Sequence, residues 1–204
     1  MDYRTTAEDI RTMRVRGAGR IARAGASALG DFAREYKGDD LDAFRKEVSE
    51  AKKVLLDSRP TAVSLWNGVH SAVRGLSDCT DLGEAKRLIV DNAEAFVKNS
   101  NLAVKEIARI GAKRIQDGDV IVTHCNSSAA VGVIVEAHRQ GKKFKVYATE
   151  SRPWRQGIIT ANQLAEAGVD VTLIIDSAVR SVMMYATKVF VGADTVTSPG
   201  ALVN

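Results

Sequence analysis

Four segments of this chain carry side chains suited to acid–base or anion-binding chemistry, and each follows an apolar run of strand length. Thr123-His124-Cys125-Asn126-Ser127-Ser128 follows Val120-Ile121-Val122, and Thr149-Glu150-Ser151-Arg152 follows Phe144–Ala148. Asp176-Ser177 follows Val169–Ile175, and Gly192-Ala193-Asp194 follows Lys188–Val191. Cys125 stands where a strand gives way to a helix. Backbone N–H groups and the helix dipole at such a point stabilise a thiolate, the form of cysteine that accepts a proton. A cysteine kept only for packing is the alternative, and Cys79 fits it better. Ser127 and Ser128 begin the same helix, where hydroxyl and N–H groups either bind phosphate or simply cap the helix. Asp194 follows an apolar strand. Partial desolvation there would raise its pKa and make it an acid near neutral pH, while a loop or capping role is the plainer reading.

Two arginine segments add anion-binding capacity. Arg16-Gly17-Ala18-Gly19 places a glycine loop and a guanidinium at the start of a helix. Gly17–Ala22 also matches the dinucleotide fingerprint G-x-G-x-x-A, with Asp39 about 20 residues further on. The residues before it read as helix or turn and no second strand leads to Asp39, so a dinucleotide site is excluded. Arg59, before Pro60 at a helix start, would join Arg16 in bidentate phosphate contacts or stand as a surface arginine. His124 and His138 share no metal-ligand spacing with either cysteine, which excludes zinc. No metal and no organic cofactor is expected, and His124 is read as a strand-end packing residue.

These side chains need elements that hold them on one rim. Residues 1–115 read as helices throughout: Thr6–Asp9 as an N-cap region followed by Ile10 and Met13, then Arg20–Glu35, Asp42–Asp57, Thr61–Leu76 and the long segment Asp81–Ile115, one helix or two. From Gln116 to Asn204, β-branched runs alternate with helical stretches and Gly-containing turns. That alternation predicts an α/β class, with an N-terminal helical domain (1–115) followed by a parallel, Rossmann-like α/β domain (116–204). Ligands of parallel sheets collect outside the carboxyl ends of the strands, which is where all four polar segments fall. The chain stops at Asn204, just after a loop. A four-stranded sheet ending there leaves an edge open, so the α/β domain is expected to be truncated at its C-terminus.

Composition narrows the functions. Of 204 residues, 45% are hydrophobic, 26% charged and 5% aromatic, which gives an ordinary soluble composition poor in stacking platforms for single-stranded nucleic acid. The net charge of +4 is spread over helices and interleaved with acidic residues, as in Glu50-Ala51-Lys52-Lys53. No nucleic-acid partner is expected, and the positive balance suits a small, doubly anionic ligand. No apolar run approaches a membrane span, the N-terminus carries no secretory pattern, and two cysteines make no disulfide framework. No membrane association and a reducing cytoplasm are the expectations.

Taken as a set, Thr123–Ser127, Glu150-Ser151-Arg152-Pro153, Asp176-Ser177-Ala178, Gly192-Ala193-Asp194, Arg16–Gly19 and Ser58-Arg59-Pro60 resemble the motifs of one superfamily. It joins aldose-phosphate isomerases to the regulatory subunits of translation initiation factor 2B, and the resemblance covers nearly the whole chain. Within it, the chain looks most like archaeal ribose-1,5-bisphosphate isomerases. Gly19 stands where methylthioribose-1-phosphate isomerases typically carry proline, and the pair Cys125 and Asp194 is typically lacking in the regulatory subunits. The resemblance implies conversion of ribose 1,5-bisphosphate to ribulose 1,5-bisphosphate in AMP salvage, with Cys125 as proton acceptor and Asp194 as proton donor. It further implies substrate binding by Arg16, Gly17, Ala18, Gly19, Arg59, Ser127, Ser128, Ala129 and Asn204, the last being the first member of an Asn-Lys pair. A homo-oligomer, dimer or hexamer at full length, is implied as well. The alternatives are a non-catalytic regulatory subunit or a methylthioribose-1-phosphate isomerase.

Overall fold

A computed structural model describes residues 2–203. The first half is helical: α1 (Tyr3–Arg11), α2 (Ala18–Glu35), α3 (Leu41–Asp57), α4 (Val63–Ala72), a short 3₁₀ turn (Leu76–Asp78) and α5 (Leu82–Ala112). α1 begins earlier than its sequence suggests. Asp2, not Thr6, is the N-cap, accepting the Thr5 N–H, while Thr6 is buried and donates its hydroxyl to the Asp2 carbonyl. The segment expected to be one helix or two is a single helix of 31 residues. Its Ala-rich sequence has no internal proline to break it.

The described chain divides into two compact units, one taking the residues up to Asn101 together with Asp194–Val203, the other Leu102–Ala193. The division falls inside α5. The composition change at Gln116 therefore marks where strands begin, while packing changes partners a few turns earlier.

In the first unit the core is built on aromatic and aliphatic side chains from α1 to α5: Phe44, Ile10, Leu29, Leu55, Leu65 and Ile89 are fully buried. Helices α2 and α4 touch backbone to side chain. A Cβ on Gly68 would stand 2.4 Å from the Ala22 carbonyl oxygen, so only glycine permits this approach. The unit also holds the hairpin β5 (Thr195–Val196) and β6 (Leu202–Val203), paired antiparallel.

In the second unit four parallel strands, β1 (Val120–Thr123), β2 (Lys145–Thr149), β3 (Val171–Ile174) and β4 (Lys188–Phe190), lie in the order β3-β2-β1-β4. The connecting helices are α6 (Ser128–Arg139), α7 (Gln156–Glu166) and the short α8 (Val179–Met183), preceded by a 3₁₀ turn at Asp176–Ala178. Ile121 and Val146, cross-strand neighbours, are buried with Val133, Ile134 and Leu164 of α6 and α7. The steps β1 to β2 to β3 run one way across the sheet and the step to β4 runs back. Right-handed crossovers thus put α6 and α7 on one face and α8 on the other. Order reverses between β1 and β4 as strands leave β1, which makes the carboxyl end of β1 a topological switch point.

Candidate active site

The β1–α6 turn carries the thiol. Cys125 is half-buried and adopts φ 62°, a left-handed conformation uncommon for a residue with a side chain. Its backbone is held at both ends. The N–H donates to Ser151 Oγ at 2.7 Å, and the carbonyl accepts the Thr160 hydroxyl at 2.7 Å. The thiol donates to Gln156 Oε1 at 3.3 Å. The next residue, Asn126, donates its amide to Thr160 Oγ1 and Gln163 Oε1, each at 2.9 Å. Gln156, Thr160 and Gln163 recur at helical spacing along α7 and form a polar stripe facing this turn.

Ser127 is the N-cap of α6, its hydroxyl accepting the Ala130 N–H at 3.3 Å. Ser128 and Ala129 are the first two helical residues, so their N–H groups have no intrahelical acceptor. They face outward at the positive end of a 12-residue helix. Capping is thus what the Ser127 hydroxyl does here, and the two N–H groups beyond it are the donors available to an anion.

Behind the thiol a second turn is fixed by a carboxylate. Asp176, at the end of β3, accepts the Ser151 N–H on Oδ1 and the Arg152 N–H on Oδ2, both at 2.8 Å. The Arg152 N–H is the largest influence holding its carboxyl below the usual carboxylate range. Burial works against it, and the Ser151 N–H, the Thr149 hydroxyl and the charge of His124 add to the lowering. Ser151 is buried and also left-handed, at φ 61°. His124 is exposed, and its Nδ1 meets Thr149 Oγ1 at 2.6 Å and Ser151 Oγ at 3.3 Å. The packing role expected for His124 does not hold: its ring sits outside the apolar core and joins a hydroxyl network. At the start of α7, a Cβ on Gly157 would stand 1.6 Å from the Thr149 carbonyl oxygen. Only glycine lets α7 begin this close to the end of β2.

In the first unit, the loop from Thr12 to Gly17 leads into α2. Gly17 is its N-cap at φ 87° and offers no side-chain acceptor, so the opening N–H groups of α2 have neither an intrahelical acceptor nor a side-chain cap. Arg16, Ala18 and Gly19 are half-buried around this opening. Arg59 is brought to the same loop, its Nη1 lying 2.7 Å from Met13 Sδ. Two segments 40 residues apart in sequence, both expected to bind substrate, therefore share one corner of this unit. The residues before Gly17 form a turn after α1, in keeping with the exclusion of a dinucleotide fingerprint.

Asp194 follows β4 in the loop before β5. It is exposed, and its N–H donates to the Val203 carbonyl at 2.8 Å. The burial expected to desolvate this carboxyl is not present, because the loop around it presents Ala193 and Asp194 alike to solvent. Asn204 lies outside the described residues. Among the described residues no group of three or more His, Cys, Asp or Glu side chains is placed to hold a metal ion, and no helix is long and apolar enough to cross a membrane. Both cysteines are free thiols, Cys79 being buried.

The strand-end segments read from the sequence contain Asn126, Thr149, Ser151 and Asp176 without a role for any of the four in the site, and Gln156, Thr160 and Gln163 of α7 lie outside them. The spacing of Gln156, Thr160 and Gln163 on one helix was the signal that would have found the stripe.

Comparison with known proteins gives the family and the fold. A family model described as the Initiation factor 2 subunit family matches residues 14–204. Ribose 1,5-bisphosphate isomerase from Thermococcus kodakarensis is 46% identical over 202 residues, covering 97% of this chain and 63% of that protein. Its counterpart from Methanocaldococcus jannaschii is 45% identical over 199 residues, covering 98% and 63%. This chain therefore spans 63% of the length of these curated relatives. Among solved structures, 5-methylthioribose 1-phosphate isomerase from Pyrococcus horikoshii aligns with a TM-score of 0.85 at 30% identity, covering 100% of this chain and 60% of that one.

Proposed function

The chain belongs to the Initiation factor 2 subunit family, and we propose that the protein it comes from isomerises ribose 1,5-bisphosphate to ribulose 1,5-bisphosphate. The observation that carries this reading is the identity of 45–46%, over nearly the whole chain, to proteins bearing that name. The methylthioribose-1-phosphate isomerases stand lower, at 30–37%. The Cys125 turn supplies a thiol at the switch point of a parallel sheet, which is where such a sheet binds its ligands.

The substrate is a closed ring whose anomeric oxygen carries phosphate, so it cannot open as a free aldose does. In our reading Asp194 gives its proton to the ring oxygen as the bond from that oxygen to C1 breaks. The Cys125 thiolate removes the proton from C2, and the electron pair of that C–H bond forms the C1–C2 double bond of a phosphoenol. Loss of the hydroxyl proton at C2 and delivery of a proton to C1 then leave the ketone. An acid and a base of opposite tuning are what this sequence of transfers needs. Arg16, Gly17, Ala18, Gly19 and Arg59 would hold phosphate through guanidinium and N–H donors. Ser127, Ser128 and Ala129 would do so through the start of α6. Asn204 is assigned to substrate by the resemblance alone. The chemistry needs no cofactor. The partner is a sugar bisphosphate, and the protein at full length assembles with copies of itself.

The test is formation of ribulose 1,5-bisphosphate from ribose 1,5-bisphosphate by the full-length protein, beside Cys125→Ser and Asp194→Asn. Turnover in the wild type, lowered at least about 10²-fold in each variant with folding intact, is the expected outcome. A wild type that binds sugar bisphosphate tightly without turning it over would refute the isomerase in favour of a regulatory binding protein.

A further inference from the structure

We propose that Asp176 is a positioning residue for Cys125, acting across three adjacent strands through Ser151. The inference rests on the reading of Cys125 as the proton acceptor, and it concerns a residue that never meets substrate in that reading. The strand order β3-β2-β1 sets the path: Asp176 ends β3, Ser151 follows β2 and Cys125 follows β1.

Two residues with side chains, Ser151 at φ 61° and Cys125 at φ 62°, hold a conformation that sterics disfavour. Such a conformation persists only where the surroundings over-determine it. For Ser151 the over-determination is the carboxylate. One oxygen of Asp176 takes the Ser151 N–H and the other takes the Arg152 N–H, so the two peptide units flanking Ser151 Cα are fixed from one side. Fixing them aims the Ser151 hydroxyl at β1, where it receives the Cys125 N–H at 2.7 Å. That contact and the Thr160 hydroxyl on the Cys125 carbonyl fix the peptide units on both sides of Cys125 Cα.

An amide in place of the carboxylate cannot do this. Asparagine has one acceptor oxygen, and its NH₂ would face a backbone N–H, donor against donor. Arg152 turns its side chain toward Glu150 and His124 reaches the network through hydroxyls, while the two backbone N–H groups take one carboxylate oxygen each. Both acceptor oxygens are therefore committed to the turn.

The experiment uses the full-length protein and two variants, Asp176→Asn and Ser151→Ala, read by amide hydrogen exchange and by steady-state kinetics. In Asp176→Asn the Ser151, Arg152 and Cys125 amides exchange about 10-fold faster or more, while Ile121 and Val146 in the sheet keep their protection. The kcat falls about 100-fold, and KM stays within about threefold, as expected when a reacting group is misplaced but the phosphate sites are intact. In Ser151→Ala only the Cys125 amide loses protection, and kcat falls in the same direction. Should Asp176→Asn fail to fold, Ser151→Ala decides alone. Protection lost evenly through the sheet, or kcat within twofold of wild type in the folded variants, overturns the proposal. If the wild type shows no turnover, the proposed function fails and the exchange pattern by itself upholds or overturns the clamp.

Discussion

At the scale of single residues, the two cysteines show how much context decides what a thiol can do. Cys79 is 3% exposed, and burial, followed by the nearby Glu84 carboxylate, pushes its thiol above the usual range. A raised value means less thiolate at neutral pH, and an enclosed sulfur meets no reagent. Cys125 is half-buried on a turn at the positive end of α6. Iodoacetamide at pH 7.5 should therefore modify Cys125 at least about 10-fold faster than Cys79 in the folded protein, with the difference disappearing in denaturant. Peptide mass spectrometry over a time course measures both rates, and equal rates in the folded state would contradict the assignment. The sequence made Cys125 visible because it stands between an apolar strand and a serine that starts a helix. It could not show that the residue is left-handed, because nothing in a single residue's identity announces a conformation imposed by Ser151 and Thr160 from elsewhere in the chain. Asp194 is the opposite lesson. An apolar strand before an aspartate suggested desolvation, yet the loop leaves the strand end and exposes the carboxyl.

At the scale of elements, strand and helix positions were legible because period-2 and period-3.6 patterns are local, whereas helix starts were less so: α1 is capped by Asp2, and its Thr6 faces inward. Strand order was not legible at all, since it depends on which edges meet. The edge pairing of β4 to β1 is secured by an ion pair that sequence gave no reason to expect. Asp119, 7% exposed by its side chain, accepts Lys188 Nζ at 2.6 Å, the Thr187 hydroxyl at 2.7 Å and the Gln116 N–H at 2.6 Å. Burial pushes its carboxyl up, but the Lys188 hydrogen bond, then the Gln116 N–H and Thr187, outweigh burial and hold it below the usual range. A carboxyl lowered in the folded state adds stability that is complete above its unfolded value, about 3.9, and is lost as pH falls through the folded value. The Asp119 contribution should be constant from pH 7 to pH 5 and fall away below about pH 4. In Lys188→Met the carboxylate stays buried without its cation, costing about 2 kcal/mol at pH 7, a deficit that shrinks as acid protonates Asp119. Urea unfolding at pH 7 and pH 3.5 reads both effects, and a variant as stable as wild type at pH 7 would show that the pair contributes nothing net.

At the scale of the whole molecule, the α/β unit is covered unequally. The cross-strand row Val189, Val122, Tyr147 and Thr172 lies on the face opposite Ile121 and Val146. The Ile121 face is closed by α6 and α7, two helices of 12 and 11 residues. The other face receives α8, five residues long, of which only Val182 is buried. Val189 is accordingly 51% exposed and Met184 86%. Apolar area left in water on a folded sheet is a binding surface for any apolar molecule that fits it. The 204-residue chain should therefore bind the dye ANS in its native state, with fluorescence well above that of a typical folded globular protein. Val189→Lys and Met184→Lys together should remove at least about half of that signal, while the urea midpoint shifts by no more than the equivalent of about 0.5 kcal/mol, because neither side chain is packed. Dye titration beside urea unfolding separates the possibilities. Fluorescence that survives both substitutions would place the apolar surface elsewhere. A large loss of stability would mean that these side chains are packed in solution, and that α8 covers more of the sheet than its five residues span here.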